Sequence, residues 1–201
     1  MNTLDTCEPY FEYVRRYVDL DPDTMELVAS NTGLVTIPPK EFILHEGSKC
    51  EKVYFVVSGA ARSYYTDFSG KTITWAFHFN DEKSISRNLF ALDYRSLLTG
   101  LPSVITIETV SEFKAITFTK AQLAFLIENS HLYERWMRRL NELAYAHMFD
   151  RAFTMLTMSA TERYQKLLKE EPYLLQMFSN YYVASYLGIA PQSLSRIRSQ
   201  H

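Results

Sequence analysis

The chain has 201 residues, 21 lysine and arginine side chains against 23 aspartates and glutamates, and a formal net charge of -2, a size that suits one large domain or two small ones. With 47% apolar residues, six glycines and seven prolines it can build a real core, and it is neither fibrous nor low-complexity. No apolar run nears the ~20 residues of a membrane helix, and the start, MNTLDTCEPYFEY, has acids where a signal peptide has basic residues, so a cytoplasmic protein without a membrane partner is expected.

The first ~30 residues read as helical, because PYFEYVRRYV and DPDTMELVASNT place apolar residues at helical spacing and Asp21-Pro22 is a good helix start. Cys7 lies here and Cys50 well beyond it. Two cysteines are too few for a structural zinc site or an ordinary iron–sulfur cluster, and in a reducing compartment both are expected as free thiols.

From Gly33 to about Thr119 the pattern becomes that of strands. LVTIP, EFILHEG, KVYFVVSG, AARSYYTDFSG, KTITWAFHF, SVITIETV and KAITFT are short and rich in β-branched and aromatic residues. Turn signals separate them at Pro38-Pro39, Glu46-Gly47, Ser58-Gly59 and Asp67-Phe68-Ser69-Gly70. That spacing predicts an antiparallel β-roll or jelly roll. SISRNLFALDYRSLLTG, residues 84–100, interrupts it as a helix or an irregular loop. Trp75 and Phe77 alternate in one strand, so one face of the roll is expected to be aromatic.

The helical period returns at Lys120. KAQLAFLIENS is one helix, and residues 131–158 form a second of ~28 residues, longer than a small domain at ~1.5 Å per residue. Its apolar positions include Trp136, Leu140, Ala144, Met148, Ala152 and Met155, mostly four apart, with Leu132, Leu143, Phe149, Phe153 and Leu156 widening the stripe. Such a helix is suited to packing against its own copy. Trp136, Leu140, Leu143, Ala144 and Met148 are the expected dimerisation residues; a core helix of a monomer is the other reading. Ser159 with Glu162 three residues on forms a capping-box pattern, and Pro172 stops the helix that follows.

The closing stretch, YYVASYLGIAPQSLSRIRSQH, reads as two short helices around a corner. Val183 and Leu187 share a face, and Ala184 beside them leaves room for a close crossing. Gly188 supplies the turn and Ile189 plugs it. Pro191 opens the second helix, and Leu194 and Ile197 point back at the first. Gln192, Ser193, Arg196 and Ser199 are left on or near the outer face. This is a helix-turn-helix, whose second helix enters the major groove, where arginine grips guanine and glutamine pairs with adenine. From Pro172 to the end the formal charges are Arg196 and Arg198, with no acid, which favours a phosphate partner. An ordinary corner between two helices is the plainer alternative.

A roll, then a long helix, then a terminal helix-turn-helix resembles the CRP/FNR family of bacterial transcription regulators. EFILHEGSKCEKVYFVVSGAARSYYTDFSGKTIT looks like that family's cyclic-nucleotide-binding β-roll, and ASYLGIAPQSLSRIR looks like its DNA-reading helices. The resemblance implies an effector-binding roll, a homodimer made by the long helix and a near-palindromic operator on double-stranded DNA. By position it implies base contacts from Gln192, Ser193 and Arg196, and a phosphate contact from Arg198. The expected fold is therefore α+β: a cyclic-nucleotide-binding-like antiparallel roll with flanking helices (1–130), a dimerisation helix (131–158) and a helix-turn-helix domain (159–201), hinged near Thr157-Met158-Ser159.

Two departures qualify the resemblance. Nucleotide-binding members carry a Gly-Glu pair and then Arg-Ser or Arg-Thr; here there is no Gly-Glu, and Leu101-Pro102-Ser103 stands where Arg-Ser is expected. An unpaired phosphate in a pocket is costly, so cyclic AMP is not the expected effector. Arg87 or Arg95 could supply the charge from elsewhere, with Ser103 beside them, or both could be solvated. Many members also continue into a β-hairpin wing, which the chain to His201 leaves out, naturally or by clipping. No cofactor, metal or catalytic residue is expected. His45, His78, His131, His147 and His201 are scattered, although His78 near Asp81 and Glu82 keeps a cupin-like metal enzyme as a third reading, and His78 or His45 keeps a haem sensor. The principal alternative is a ligand-binding roll that signals through protein contacts.

Overall fold

The computed structural model describes residues 3–199; the outermost ends of the first and last expected domains, including His201, lie outside the described residues. The elements run α1 (Thr3–Val14), α2 (Pro22–Ser30), β1 (Gly33–Ile37), β2 (Phe42–Leu44), β3 (Lys52–Ser58), β4 (Ala60–Thr66) and β5 (Thr72–Phe79). Then come α3 (Ser86–Leu89), β6 (Phe90–Ala91), α4 (Tyr94–Thr99), β7 (Thr106–Thr109) and β8 (Phe113–Thr119). The rest is helical: α5 (Lys120–Asn129), α6 (His131–Thr157), α7 (Ala160–Glu170), α8 (Leu174–Met177), α9 (Asn180–Tyr186) and α10 (Pro191–Ser199). The fold is α+β, as the chemistry of the segments predicts.

The strands form two four-stranded sheets, ordered β1-β8-β3-β6 and β2-β7-β4-β5, and their pairings are antiparallel. Non-sequential neighbours make this a jelly roll rather than a meander. Between β3 and β4 the chain turns at Gly59, with φ +83°, where an added Cβ would lie 1.8 Å from the Glu112 carbonyl oxygen. Only glycine fits there. The 84–100 insertion holds two short helices and also β6, which pairs with β3 at Tyr54↔Ala91 and Phe55↔Phe90. A two-residue strand carries no period, so the sequence pattern does not show it.

Phe55, Val56, Ile107, Phe113, Ile116 and Phe118 fill the roll, and α1, α2 and α5 cover one end. The amino-terminal half of α6 belongs to this same core. Trp136 is fully buried, its indole Nε1 donates to the Tyr10 hydroxyl at 2.7 Å, and its ring meets Tyr13 edge-on at 5.6 Å. Leu140 is buried in the same cluster. Trp136 and Leu140, expected at a dimer contact, are thus core residues of the single chain. Both face the roll of their own chain, because α1 folds back and gives that side of the helix an aromatic partner.

A second apolar cluster gathers α7, α8, α9 and α10 through Tyr164, Leu167, Leu174, Phe178, Val183, Leu187, Leu194 and Ile197. The capping box at Ser159 is formed: the Ser159 amide donates to Glu162 Oε2 at 2.7 Å and the Glu162 amide to Ser159 Oγ at 3.3 Å. Phe77 and Phe79 of β5 belong to this cluster too, so the terminal helices sit on the roll rather than apart from it.

Candidate nucleic-acid interface and junction cavity

The two terminal helices cross as the spacing predicts. Val183, Ala184, Leu187, Leu194 and Ile197 are buried between or beneath them. Gly188 takes φ +69° at the corner, where the Ile189 amide donates to the Ala184 carbonyl at 3.0 Å. Burying that face turns the opposite one outward: Gln192, Arg196 and Ser199 are exposed and Ser193 is half-buried. Arg198 is half-buried, and its Nη1 donates to Asn180 Oδ1 at 2.7 Å, which ties the end of α10 to the start of α9.

The carboxyl-terminal half of α6 behaves differently from its first half. Tyr145, Met148, Phe149, Phe153 and Leu156 are exposed, Leu156 at 85%, and the Phe149 and Phe153 rings stack at 6.4 Å. Leu143 and Ala144 are half-buried. Of the five residues expected at a dimer contact, Met148 alone is exposed, and it also borders a cavity. Phe149, Phe153 and Leu156 were part of the stripe; what sequence spacing hides is which half of it the roll covers.

A cavity of about 400 Å³ lies where β4, β5, α3, α6 and the terminal helices meet. Its apolar walls include Tyr65, Trp75, Phe77, Phe90, Ile105 and Met148. Trp75 is the extra residue of a β-bulge, since Ser63 pairs with Ala76 and Tyr64 with Thr74. The bulge breaks the strict alternation expected of β5. Thr74 before it and Phe77 and Phe79 after it all meet the terminal helices: Thr74 through Ser185, Phe77 by stacking on Phe178 at 3.9 Å, Phe79 edge-on to Tyr173.

Arg87 lines the cavity and pairs with Glu171, which also accepts from the Tyr186 hydroxyl at 3.1 Å. Burial opposes the Arg87 charge, but the facing Tyr186 and Glu171 outweigh it and raise its pKa. Arg87 is therefore not a solvated surface residue. Arg95 stands exposed at the rim and donates to the Pro102 carbonyl at 3.1 Å. Ser103, expected at the effector pocket, is buried outside the lining of this cavity, donates to Asp93 Oδ2 at 2.8 Å and closes its own loop against the Ile105 carbonyl at 2.8 Å. Sequence reasoning missed Arg151. It is 7% exposed, its Nη2 donates to the Thr74 and Tyr186 carbonyls at 3.0 and 2.6 Å, and its guanidinium lies 3.9 Å over the Tyr186 ring. An arginine in an apolar helical stripe was the available signal.

Of the histidines, His45 and His131 are exposed, and His147 lines the cavity with its pKa lowered by burial and then by Arg87. His78 is buried and bonds Ser63 Oγ through Nε2 at 2.5 Å. Burial lowers its pKa from the ordinary 6.5 to about 4. The unfolded chain thus takes up a proton on this ring between those values while the folded chain does not. Stability is full above pH 6.5 and is expected to fall by about 3 kcal/mol as the pH drops through that window. Denaturant unfolding across pH 4–7 checks this, with His78→Gln losing that part of the slope. Among the described residues, no three His, Cys, Asp or Glu side chains lie together as a metal site, and Cys7 and Cys50 are buried free thiols. No described helix is long and apolar enough to cross a membrane.

Residues 34–130 match the family model described as cyclic nucleotide-binding domain. The chain is similar in structure to FixK2 from Bradyrhizobium japonicum, at TM-score 0.69 and 21% identity, over 84% of this chain and 83% of that one. It is similar to the c-di-GMP responsive global regulator CLP of Xanthomonas campestris, at TM-score 0.66 and 12% identity, over 90% and 91% of the two chains. A candidate transcriptional regulator of the crp/fnr family from Eubacterium rectale gives TM-score 0.65 and 14% identity, over 89% and 82%. Among curated proteins, no sequence matches the chain. At these identities the likeness is one of fold.

Proposed function

We propose that this chain, with a cyclic nucleotide-binding domain at residues 34–130, is a homodimeric, sequence-specific transcription regulator of the CRP/FNR type. The observation that carries the proposal is α10: its apolar face is locked into the corner while Gln192, Arg196 and Ser199 are exposed on the other side. No acid lies within the last thirty positions to repel phosphate. In this reading 1–130 is the sensory roll, 131–158 the dimer helix and 159–201 the DNA-binding domain of a cytoplasmic protein without catalytic activity. Gln192, Ser193 and Arg196 read base edges, and Arg198 and Ser199 meet the backbone. The structural neighbours named as regulators support this assignment by fold.

The dimer contact is assigned to the exposed half of α6. Replacing Phe149 and Leu156 together by aspartate is expected to weaken dimerisation more than ~100-fold, since each burial contributes about 1.5–3 kcal/mol and each new charge opposes it. Sedimentation equilibrium reads the outcome; an unchanged dimer would move the contact elsewhere. Cyclic AMP is not the expected effector, because the chain has no Gly-Glu pair, Leu101-Pro102-Ser103 stands where Arg-Ser is expected, and Ser103 is taken up by Asp93.

The overall assignment is tested by selecting bound DNA from a random library with the purified chain, at low and physiological salt, without added ligand. A two-fold-symmetric enriched site is the expected result. A failure to enrich any site, in both salts and after adding a cyclic-nucleotide panel, would favour a roll that signals by protein contact.

A further inference from the structure

The charged groups around the junction cavity do not balance. Arg87, Arg95 and Arg151 line it against Asp93 and Glu171. Asp93 is occupied by the Ser96 amide and Ser103, at 3.1 and 2.8 Å, and Glu171 by Arg87 and Tyr186. Arg151 is left buried with only carbonyl oxygens on Nη2, and its Nε has no partner. A buried cation held by carbonyls and the Tyr186 ring, with no ion-pair partner among the described residues, is an incomplete arrangement, and a carboxylate is the group that completes it. The walls around it are aromatic on the roll side, at Tyr65, Trp75, Phe77 and Phe90.

The same groups fasten the terminal helices to the roll. Glu171 follows α7 and meets Arg87 of α3; Tyr186 of α9 carries both the hydroxyl on Glu171 and the carbonyl under Arg151. Next to them Ser185 Oγ accepts from the Thr74 amide at 2.9 Å and donates to the Thr72 carbonyl at 2.8 Å. The anion site and the fastening are therefore one set of side chains.

We infer that the cavity takes a small aromatic carboxylate, whose anion engages the Arg151 guanidinium and competes with Glu171 for Arg87, so that loading the cavity releases the terminal helices from the roll. This rests on the regulator reading for its use, but not for its test. No bond is made or broken; one buried carboxylate replaces another.

The test uses the full chain without DNA. Hydrogen exchange at Ser185 and Tyr186 reports the fastening, and exchange in β3 and β8 reports the roll. Glu171→Gln keeps the shape of the residue but removes its charge. It is expected to speed exchange in α9 roughly tenfold or more while β3 and β8 hold, as breaking a largely buried pair does locally. A panel of aromatic carboxylates, each matched with its carboxamide, is then titrated calorimetrically. At least one acid is expected to bind over tenfold more tightly than its amide, to speed α9 exchange, and to bind more tightly still to Glu171→Gln. Arg151→Met should abolish the preference for acid over amide. Unchanged α9 exchange in Glu171→Gln, or a panel in which no acid outbinds its amide, overturns the inference. If the fastening responds but no operator can be selected, the regulator reading fails and the clasp stands; if an operator is selected and the fastening does not respond, the reverse holds.

Discussion

Replacing Arg196 by alanine should weaken binding to the selected operator by roughly 30-fold to more than 10⁴-fold, because a bidentate arginine–guanine contact is worth about 1–3 kcal/mol and a two-fold site loses two of them. The side chain stands exposed on the outer face of α10, between the buried Leu194 and Ile197 that hold the helix in place. Removing it takes nothing from the core, so unfolding stability should stay within about 0.5 kcal/mol of the parent. Binding to scrambled DNA should fall far less, since that depends on phosphate charge, and the discrimination ratio is the quantity to measure. Titration of both DNAs at one salt concentration gives it. Full operator affinity in the variant would mean that α10 is not the reading helix.

The largest expected effect on stability belongs to Trp136→Ala, at about 3–5 kcal/mol. The indole is fully buried among Tyr10, Tyr13 and Phe90, and its loss opens a cavity while depriving the Tyr10 hydroxyl of its short donor. Tyr133 keeps that hydroxyl within 3.4 Å, so part of the polar loss is absorbed. Trp136→Phe should restore most of the packing and leave about 1 kcal/mol for the missing hydrogen bond. Denaturant midpoints of the two variants separate these contributions. Sedimentation of Trp136→Phe should show the parent's association constant; a selective loss of dimer there would return Trp136 to the interface.

The elements whose chemistry is local were legible in the sequence. Ser159 and Glu162 announced a capping box, Gly188 a corner, and Pro191 a helix start, because each satisfies its neighbours within a few residues. The outer positions of α10 followed from the inner ones at fixed spacing. What could not be read depends on which distant segment covers which face. The α6 stripe looked like one continuous surface, yet α1 covers Trp136 in its first half while Tyr145, Phe149, Phe153 and Leu156 of the second stay exposed. Arg87 and Glu171 are 84 positions apart and give no sign in sequence of being a pair. Ser103 was assigned by position in a loop, and the loop closed on itself through Asp93.

The division of α6 has a mechanical consequence. From Trp136, packed against α1, to Thr157 the helix runs about 32 Å at 1.5 Å per residue, and on the way Arg151 holds it to β5 through the Thr74 carbonyl. A tilt of about 6° at Trp136 swings the far end by about 3 Å, close to the rise of one base pair. In the proposed regulator, releasing Arg151 from Thr74 would therefore let a small tilt of α6 change the separation of two reading heads by about one base-pair step.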